Sequence, residues 1–232
     1  MKLIKTASAI ALALSSSALM AQELEIKFTN LTQGIYYTPI LMSAHNDSMS
    51  LFSAGTAATP ELQMMAEGGD ISGLVTLLDG VNANNAANPA SGLLAPGQST
   101  TAMLSTDDSN TYLSIVTMLL PTNDGFAGVS SWKIPTEAGN YTFNVNAYDA
   151  GTEANNEVVN GGGAPGALGI PAAPGMDAGT GGTGVTTEEV NKTVHIHRGS
   201  LGDDDLTAGK SDLDNTVHRW LNPVARVTVT VK

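Results

Sequence analysis

The sequence predicts an all-β protein, an antiparallel sandwich or barrel with one or two short helices in the 60–79 region. Three observations carry that prediction. About seven short runs rich in β-branched or aromatic residues are separated by Gly, Pro, Asn and Asp. The runs at both ends of the chain alternate apolar and polar side chains, which is the period of a half-buried strand. Segment 60–79 differs from these, because its apolar residues recur at helical spacing between recognisable start and stop residues.

In chain order, "ELEIKFTNLT" (23–32) sets Leu24, Ile26 and Phe28 on one side and Glu25, Lys27 and Thr29 on the other. "IYYTPILMSAH" (35–45) is a second run. In "PELQMMAEGGDISGLVTLLD" (60–79), Pro60 suits a first helical position and Glu61 favours the positive end of the helix dipole. Leu62, Met65 and Ala66 then share a face until Gly68 and Gly69 end the turn. Asp70 is placed to cap a second short helix carrying Ile71, Leu74, Val75 and Leu78, and both helices read as a cover over the sheet. "STTAMLS" (99–105), "YLSIVTMLL" (112–120), "NYTFNVNAY" (140–148) and "KTVHIHR" (192–198) follow as strands. "PVARVTVTVK" (223–232) closes the chain through Val227, Val229 and Val231. Between Gly161 and Gly184 lie 10 of the 25 glycines, too little apolar surface to offset ordering entropy, so about 159–186 is expected to be a flexible loop.

The first 21 residues have the order of a secretory signal peptide. Lys2 and Lys5 precede an apolar run from Ala7 to Leu14 and small residues from Ser15 to Ala18, with cleavage after Ala21 or after Ala18. No other stretch is apolar for the roughly 20 residues that a spanning helix needs. Residues 22–232 are then expected to form a single domain, secreted or periplasmic. The chain has no cysteine, which excludes disulfides and thiolate chemistry. Removing Lys2 and Lys5 takes the net charge from −12 to −14, a surface that repels nucleic acid and attracts divalent cations.

Two acidic turns stand out in a chain with only 14% charged residues. "PTNDGF" (121–126) supplies Asn123 and Asp124 directly after one strand, and "YDAGTEANNE" (148–157) supplies Asp149, Glu153, Asn155, Asn156 and Glu157 directly after another. If those strands share a sheet with these ends together, the carboxylates converge, which is costly without a cation. Calcium takes six to eight oxygens, and loops provide them because their carbonyls are not committed to a ladder. The plain alternative is that Asn, Asp and Gly are ordinary turn residues. An EF-hand is excluded by the absent ligand spacing.

"TMLLPTNDGFAG" followed by "YDAGTEANNE" resembles the spondin amino-terminal domain family, the module of F-spondin and mindin and of many exported bacterial proteins. "KFTNLTQGIYYTPILMSAHN", "LQMMAEGGD", "VHIHRG" and "PVARVTV" extend the resemblance across most of the chain. It implies a β-sandwich like that of calcium-dependent phospholipid-binding domains, with calcium at one end. Carried onto this sequence, it points to Asp124 in the first loop and to Asp149 and Glu153 in the second as metal ligands. Animal members usually carry Asp at the position of Glu153. They also have cysteines that are absent here, so the resemblance does not transfer their partners.

His195 and His197 fall on one face of a strand and suit zinc or copper with a third ligand such as His45, or else are structural. "GDDDLTAGKSDLDN" (202–215), with Asp203, Asp204, Asp205, Asp212 and Asp214, reads as a solvated acidic face. Glu67 with Asp70, or Asp107 with Asp108, would have to serve as a glycosidase pair, and no serine elbow is present. The expected function is an exported calcium-binding module for adhesion or ligand binding, with a protein or glycan partner at the cell envelope or extracellular matrix. The alternatives are a hydrolase of envelope or extracellular polymers, which needs an open cleft, and a structural envelope protein without metal, whose acidic turns would be splayed apart.

Overall fold

The computed structural model describes residues 21–107, 109–176 and 178–232. Residues 1–20 of the expected signal peptide and Asp108 therefore lie outside the described residues. The elements run β1 (Glu23–Asn30), β2 (Tyr36–Tyr37), β3 (Leu41–His45), α1 (Pro60–Gly68), α2 (Ser72–Asp79) and β4 (Asn84–Ala87). After them come β5 (Ser99–Ser105), β6 (Tyr112–Leu120), β7 (Gly125–Lys133), β8 (Gly139–Asp149), β9 (His195–Ile196) and β10 (Ala225–Val231). The strands form one antiparallel sheet in the order β4-β3-β6-β7-β8-β10-β1-β5, with β2 added to β6 and β9 to β8. The sheet curls until its edges nearly meet, where Asn84 Nδ2 donates to the Ser105 carbonyl at 2.6 Å. The protein is all-β and sandwich-like, as its sequence predicts.

Two cores follow from that curl. Leu24, Ile26 and Phe28 of β1, Val227 and Val229 of β10, and Ile115 of β6 face one another inside the sandwich. On the outer face of β3, β6 and β7, Leu41, Val116, Met118 and Phe126 pack beneath Leu62, Met65, Leu74 and Leu78 of the two helices. β3 and β6 are therefore buried on both faces, which explains why "LMSAH" and "YLSIVTMLL" read as continuous apolar runs while β1 alternates.

The helices form where the sequence places them. Thr59 caps α1 by accepting from the Leu62 amide at 3.2 Å, and Gly69 ends it at φ +72°, a left-handed turn in which an added Cβ would meet Thr38 at 2.7 Å. The cap expected at Asp70 is corrected by one residue. α2 starts at Ser72 with Ile71 before it, and Asp70 binds the Ser72 amide at 2.8 Å from just outside the helix.

Two strands escape the sequence reading. β4 is "NNAA", which has the composition of a loop. β7 is "GFAGVSSWK", poor in strand formers because its small residues make room for neighbours. A side chain at Gly128 would meet the Phe52 ring at 2.8 Å. Phe52 packs there on Phe126 and Tyr148, with ring centroids 5.0 and 4.9 Å away. The run 192–198 shrinks to the two residues of β9.

Phe126 is fully buried at the centre of this aromatic group. Replacing it with alanine is expected to cost about 3–5 kcal/mol in urea unfolding, since the rigid sheet cannot collapse into the cavity.

Candidate functional site

The acidic loops meet because of strand order. β6 and β8 both pair antiparallel with β7, so their carboxyl ends lie at the same end of the sheet. Register completes the approach. Gly125 pairs with Asp149, and Asp149 pairs in turn with His195 of β9, so Asp124 stands at the first position beyond the ladder. The Ala150 amide donates to the Asp124 carbonyl at 3.2 Å and carries the pairing one step further.

Within the first turn, Thr122 Oγ1 accepts from the Gly125 amide at 3.0 Å and donates to the Leu119 carbonyl at 2.6 Å. Asp124 points into the second loop, where its Oδ2 accepts from the amides of Thr152 and Glu153 at 2.8 and 3.1 Å. Asn123 binds the same loop further on, accepting from the Glu157 amide at 3.1 Å and donating to Asn156 Oδ1 at 2.8 Å. Asp149 Oδ1 accepts from the Gly151 amide at 2.9 Å, and its Oδ2 accepts from Asn155 Nδ2 at 2.7 Å. Glu153 Oε1 accepts from Asn123 Nδ2 and from the Gly169 amide.

All three predicted carboxylates are buried, with 0%, 2% and 5% of their surfaces exposed at Asp124, Asp149 and Glu153. Two of their oxygens, Asp124 Oδ1 and Glu153 Oε2, have no hydrogen-bond partner. Burial, together with the charges of Asp149 and Glu153, holds the Asp124 pKa well above the carboxylate range, against the pull of two backbone amides. Burial likewise raises Asp149, and it pushes Glu153 up to about 7. Among the described residues the one basic side chain within 4 Å of these carboxylates is His195, whose Nε2 lies 3.7 Å from Asp149 Oδ2. No three His, Asp or Glu side chains among the described residues already stand as a metal-holding cluster. The turns are not splayed apart, and the group carries more buried negative charge than the protein's own cations offset.

Three more buried carboxylates hold the surrounding loops and were not singled out in the sequence as anchors. Glu67 is fully buried and accepts from Gln63 Nε2 at 2.8 Å and from the Gly166 amide at 2.6 Å. Glu157, at φ +58°, accepts from the amides of Leu201 and Gly202 and from Ser211 Oγ. Asp212 accepts from the amides of Val159, Thr180 and Gly182. These bonds outweigh the effect of burial and hold Asp212 below the usual carboxylate range. The acidic stretch 202–215 is thus not solvated throughout, because Asp212 is 4% exposed and pins the glycine-rich segment. That segment is seated further by Ile170, fully buried and bridged to Val159.

The remaining candidates separate. His45 is fully buried at the far end of β6, where it pairs with Tyr112 and bonds Ser114 Oγ at 2.7 Å, so it cannot join the histidines of β9. His197 is buried against Trp220 and accepts from the Gly199 amide, and burial pushes its pKa down to about 3. The zinc or copper triad does not form. Both oxygens of Glu67 are spent on anchoring while Asp70 is exposed, which dissolves that glycosidase pair.

The chain matches the sequence family described as Spondin_N over residues 27–158, a span running from β1 to β8 and containing both acidic turns. No curated protein matches it.

Glu153 fixes a pH test. Its folded pKa of about 7 lies above its ordinary 4.5, so its contribution to stability is present below pH 4.5 and lost as pH rises through 7. Glu153→Gln carries no such loss. In chelator, the variant is expected to gain on the parent between pH 5 and 8 by up to about 3 kcal/mol, read from urea unfolding at each pH.

Proposed function

The chain belongs to the Spondin_N family, and on that premise we propose that it is an exported binding module of adhesion type whose acidic loops take up calcium. Asp124, Asp149 and Glu153 would hold the ion. One observation carries the reading: Asp124 Oδ1 and Glu153 Oε2 are buried and unpartnered in a group already crowded with like charge. Removing a carboxylate oxygen from water without a partner costs several kcal/mol, and a hard cation is the group that offsets it. Bound calcium would neutralise this charge and take further oxygens from loop carbonyls and water.

The protein's own residues do the positioning. The Thr152 and Glu153 amides hold Asp124 through Oδ2, which leaves Oδ1 turned away from them. Asn123 and the Gly169 amide do the same for Glu153 through Oε1. Asp149 accepts one side-chain or main-chain bond at each oxygen and retains lone pairs for a cation. The enclosure of Asp124 and Glu153 beneath the loop supports a metal that braces structure over one that works in an open cleft. Export rests on the signal pattern of residues 1–21, and a protein or glycan at the envelope or matrix is the partner this reading implies.

A ligand bound only by the folded state raises the melting temperature in a concentration-dependent way. Calcium at a hundred times its dissociation constant is expected to raise the melting temperature of residues 22–232 by roughly 5–10 °C. The double variant Asp124→Asn, Asp149→Asn is expected to lose that response while retaining its far-ultraviolet spectrum. A parent that ignores calcium would sink the reading.

A further inference from the structure

Four triplets in the chain fit the pattern Asn-x-Ser/Thr, which accepts a glycan in exported proteins, and they begin at Asn30, Asn46, Asn140 and Asn191. Transfer needs an exposed asparagine whose side-chain nitrogen is not already spent as a donor, in a segment outside the sheet ladder. Three of the four fail. Asn30 is 1% exposed, and its Nδ2 donates to the Ile35 and Leu94 carbonyls at 2.8 and 3.3 Å. Asn46 is half-buried, with Nδ2 on the Val81 carbonyl at 3.4 Å. Asn140 is exposed but lies inside β8, paired with Thr230 of β10, and the Thr142 hydroxyl meets that of Thr228 at 3.0 Å instead of its own asparagine.

Asn191 meets every condition. It is exposed, in the stretch between β8 and β9 that has no regular structure. Its Oδ1 accepts from the Thr193 amide at 3.3 Å and from Thr193 Oγ1 at 2.7 Å, a tight turn that sets the asparagine and the threonine hydroxyl side by side. The Asn191 backbone amide donates to Glu189 Oε1 at 2.7 Å and fixes the approach to that turn. Gly151 supports it from the protein side, where an added Cβ would meet the Asn191 carbonyl oxygen at 2.6 Å. Among the described residues Nδ2 donates to nothing, and the neighbouring Val190, 89% exposed, marks how far the segment stands out. Hydrogen bonds received at Oδ1 polarise the side-chain amide and ease the loss of a proton from Nδ2.

We propose that Asn191 is a glycosylation site, modified at Nδ2 by an oligosaccharide carried on a polyprenyl diphosphate. A bond forms from Nδ2 to the anomeric carbon of the sugar, and the bond from that carbon to the diphosphate oxygen breaks. The lipid diphosphate leaves with the electron pair, and the proton lost from Nδ2 passes to a base of the transferring enzyme. In the cell this rests on the export reading, since the lipid-linked donor is used on the far side of the membrane, and it is independent of the metal.

The test is made outside the cell, so that it stands apart from export, which amino-terminal sequencing of periplasmic protein reads separately. Folded residues 22–232 are incubated with a purified oligosaccharyltransferase that requires only Asn-x-Ser/Thr and with a polyprenyl-diphosphate oligosaccharide, and the product is read by intact mass and by glycopeptide mapping. Short peptides carrying each of the four triplets serve as unfolded controls and are all expected to be modified. The folded protein is expected to gain one glycan, at Asn191. Asn191→Gln and Thr193→Ala should abolish the mass gain with an unchanged melting temperature, and Thr193→Ser should retain it. A folded protein that stays unmodified would overturn the proposal. So would equal transfer to Asn30, Asn46 or Asn140 in the folded protein, or transfer that survives Thr193→Ala.

Discussion

The pairing of Gly125 with Asp149 is the constraint on which the rest of this molecule depends. It sets Asp124 beside the end of β8, and the loop that begins at Ala150 is folded over the resulting carboxylate group. Asp124 gathers the amides of Thr152 and Glu153, Asn123 gathers that of Glu157, and Glu153 in turn fastens Gly169. One register in one sheet thereby positions a chain of loops that has little regular structure of its own. A slip of one residue would turn Phe126 out of its aromatic group as well as separating the acids.

This solution suits an acidic chain without cysteine. Its loops are tied down by buried carboxylates that accept backbone amides, one at Glu67, two each at Asp124 and Glu157 and three at Asp212. Bonds to a charged acceptor are about twice as strong as neutral ones, which makes each such residue an effective staple. The drawback is uncompensated charge. Where amides are plentiful, as at Asp212, the pKa falls and the carboxylate is comfortable. Where burial is deep, amides are fewer and other acids are near, as at Asp124, it rises, and that contrast between two aspartates agrees with the proposal of a cation at Asp124.

Much of this was legible in the residues. Alternation in β1 and β10 and the spacing of Leu62, Met65 and Ala66 follow from local chemistry, and the two acidic turns stand out by composition, although their convergence depends on strand pairing. What was hidden depended on partners distant in sequence. β7 could not be read because Gly128 is small for the sake of Phe52, and its strand supplies the link that brings β6 and β8 into alignment. Asp212 looked solvated because its amide donors come from residues 159–182. The segment 159–186 is glycine-rich and reads as a free loop, yet the residues that seat it, Glu67, Glu153 and Asp212, all lie outside it. His45 and His197 belong to different ends of the sheet, a fact that only topology reveals.

Anomalous diffraction from crystals grown in calcium tests, at the atoms concerned, whether Asp124 Oδ1 and Glu153 Oε2 share a cation. One anomalous peak is expected within about 2.3–2.6 Å of both oxygens, the usual calcium–carboxylate distance. A map without that peak, with both oxygens bonded instead to water or to a neighbouring protonated acid, would contradict it.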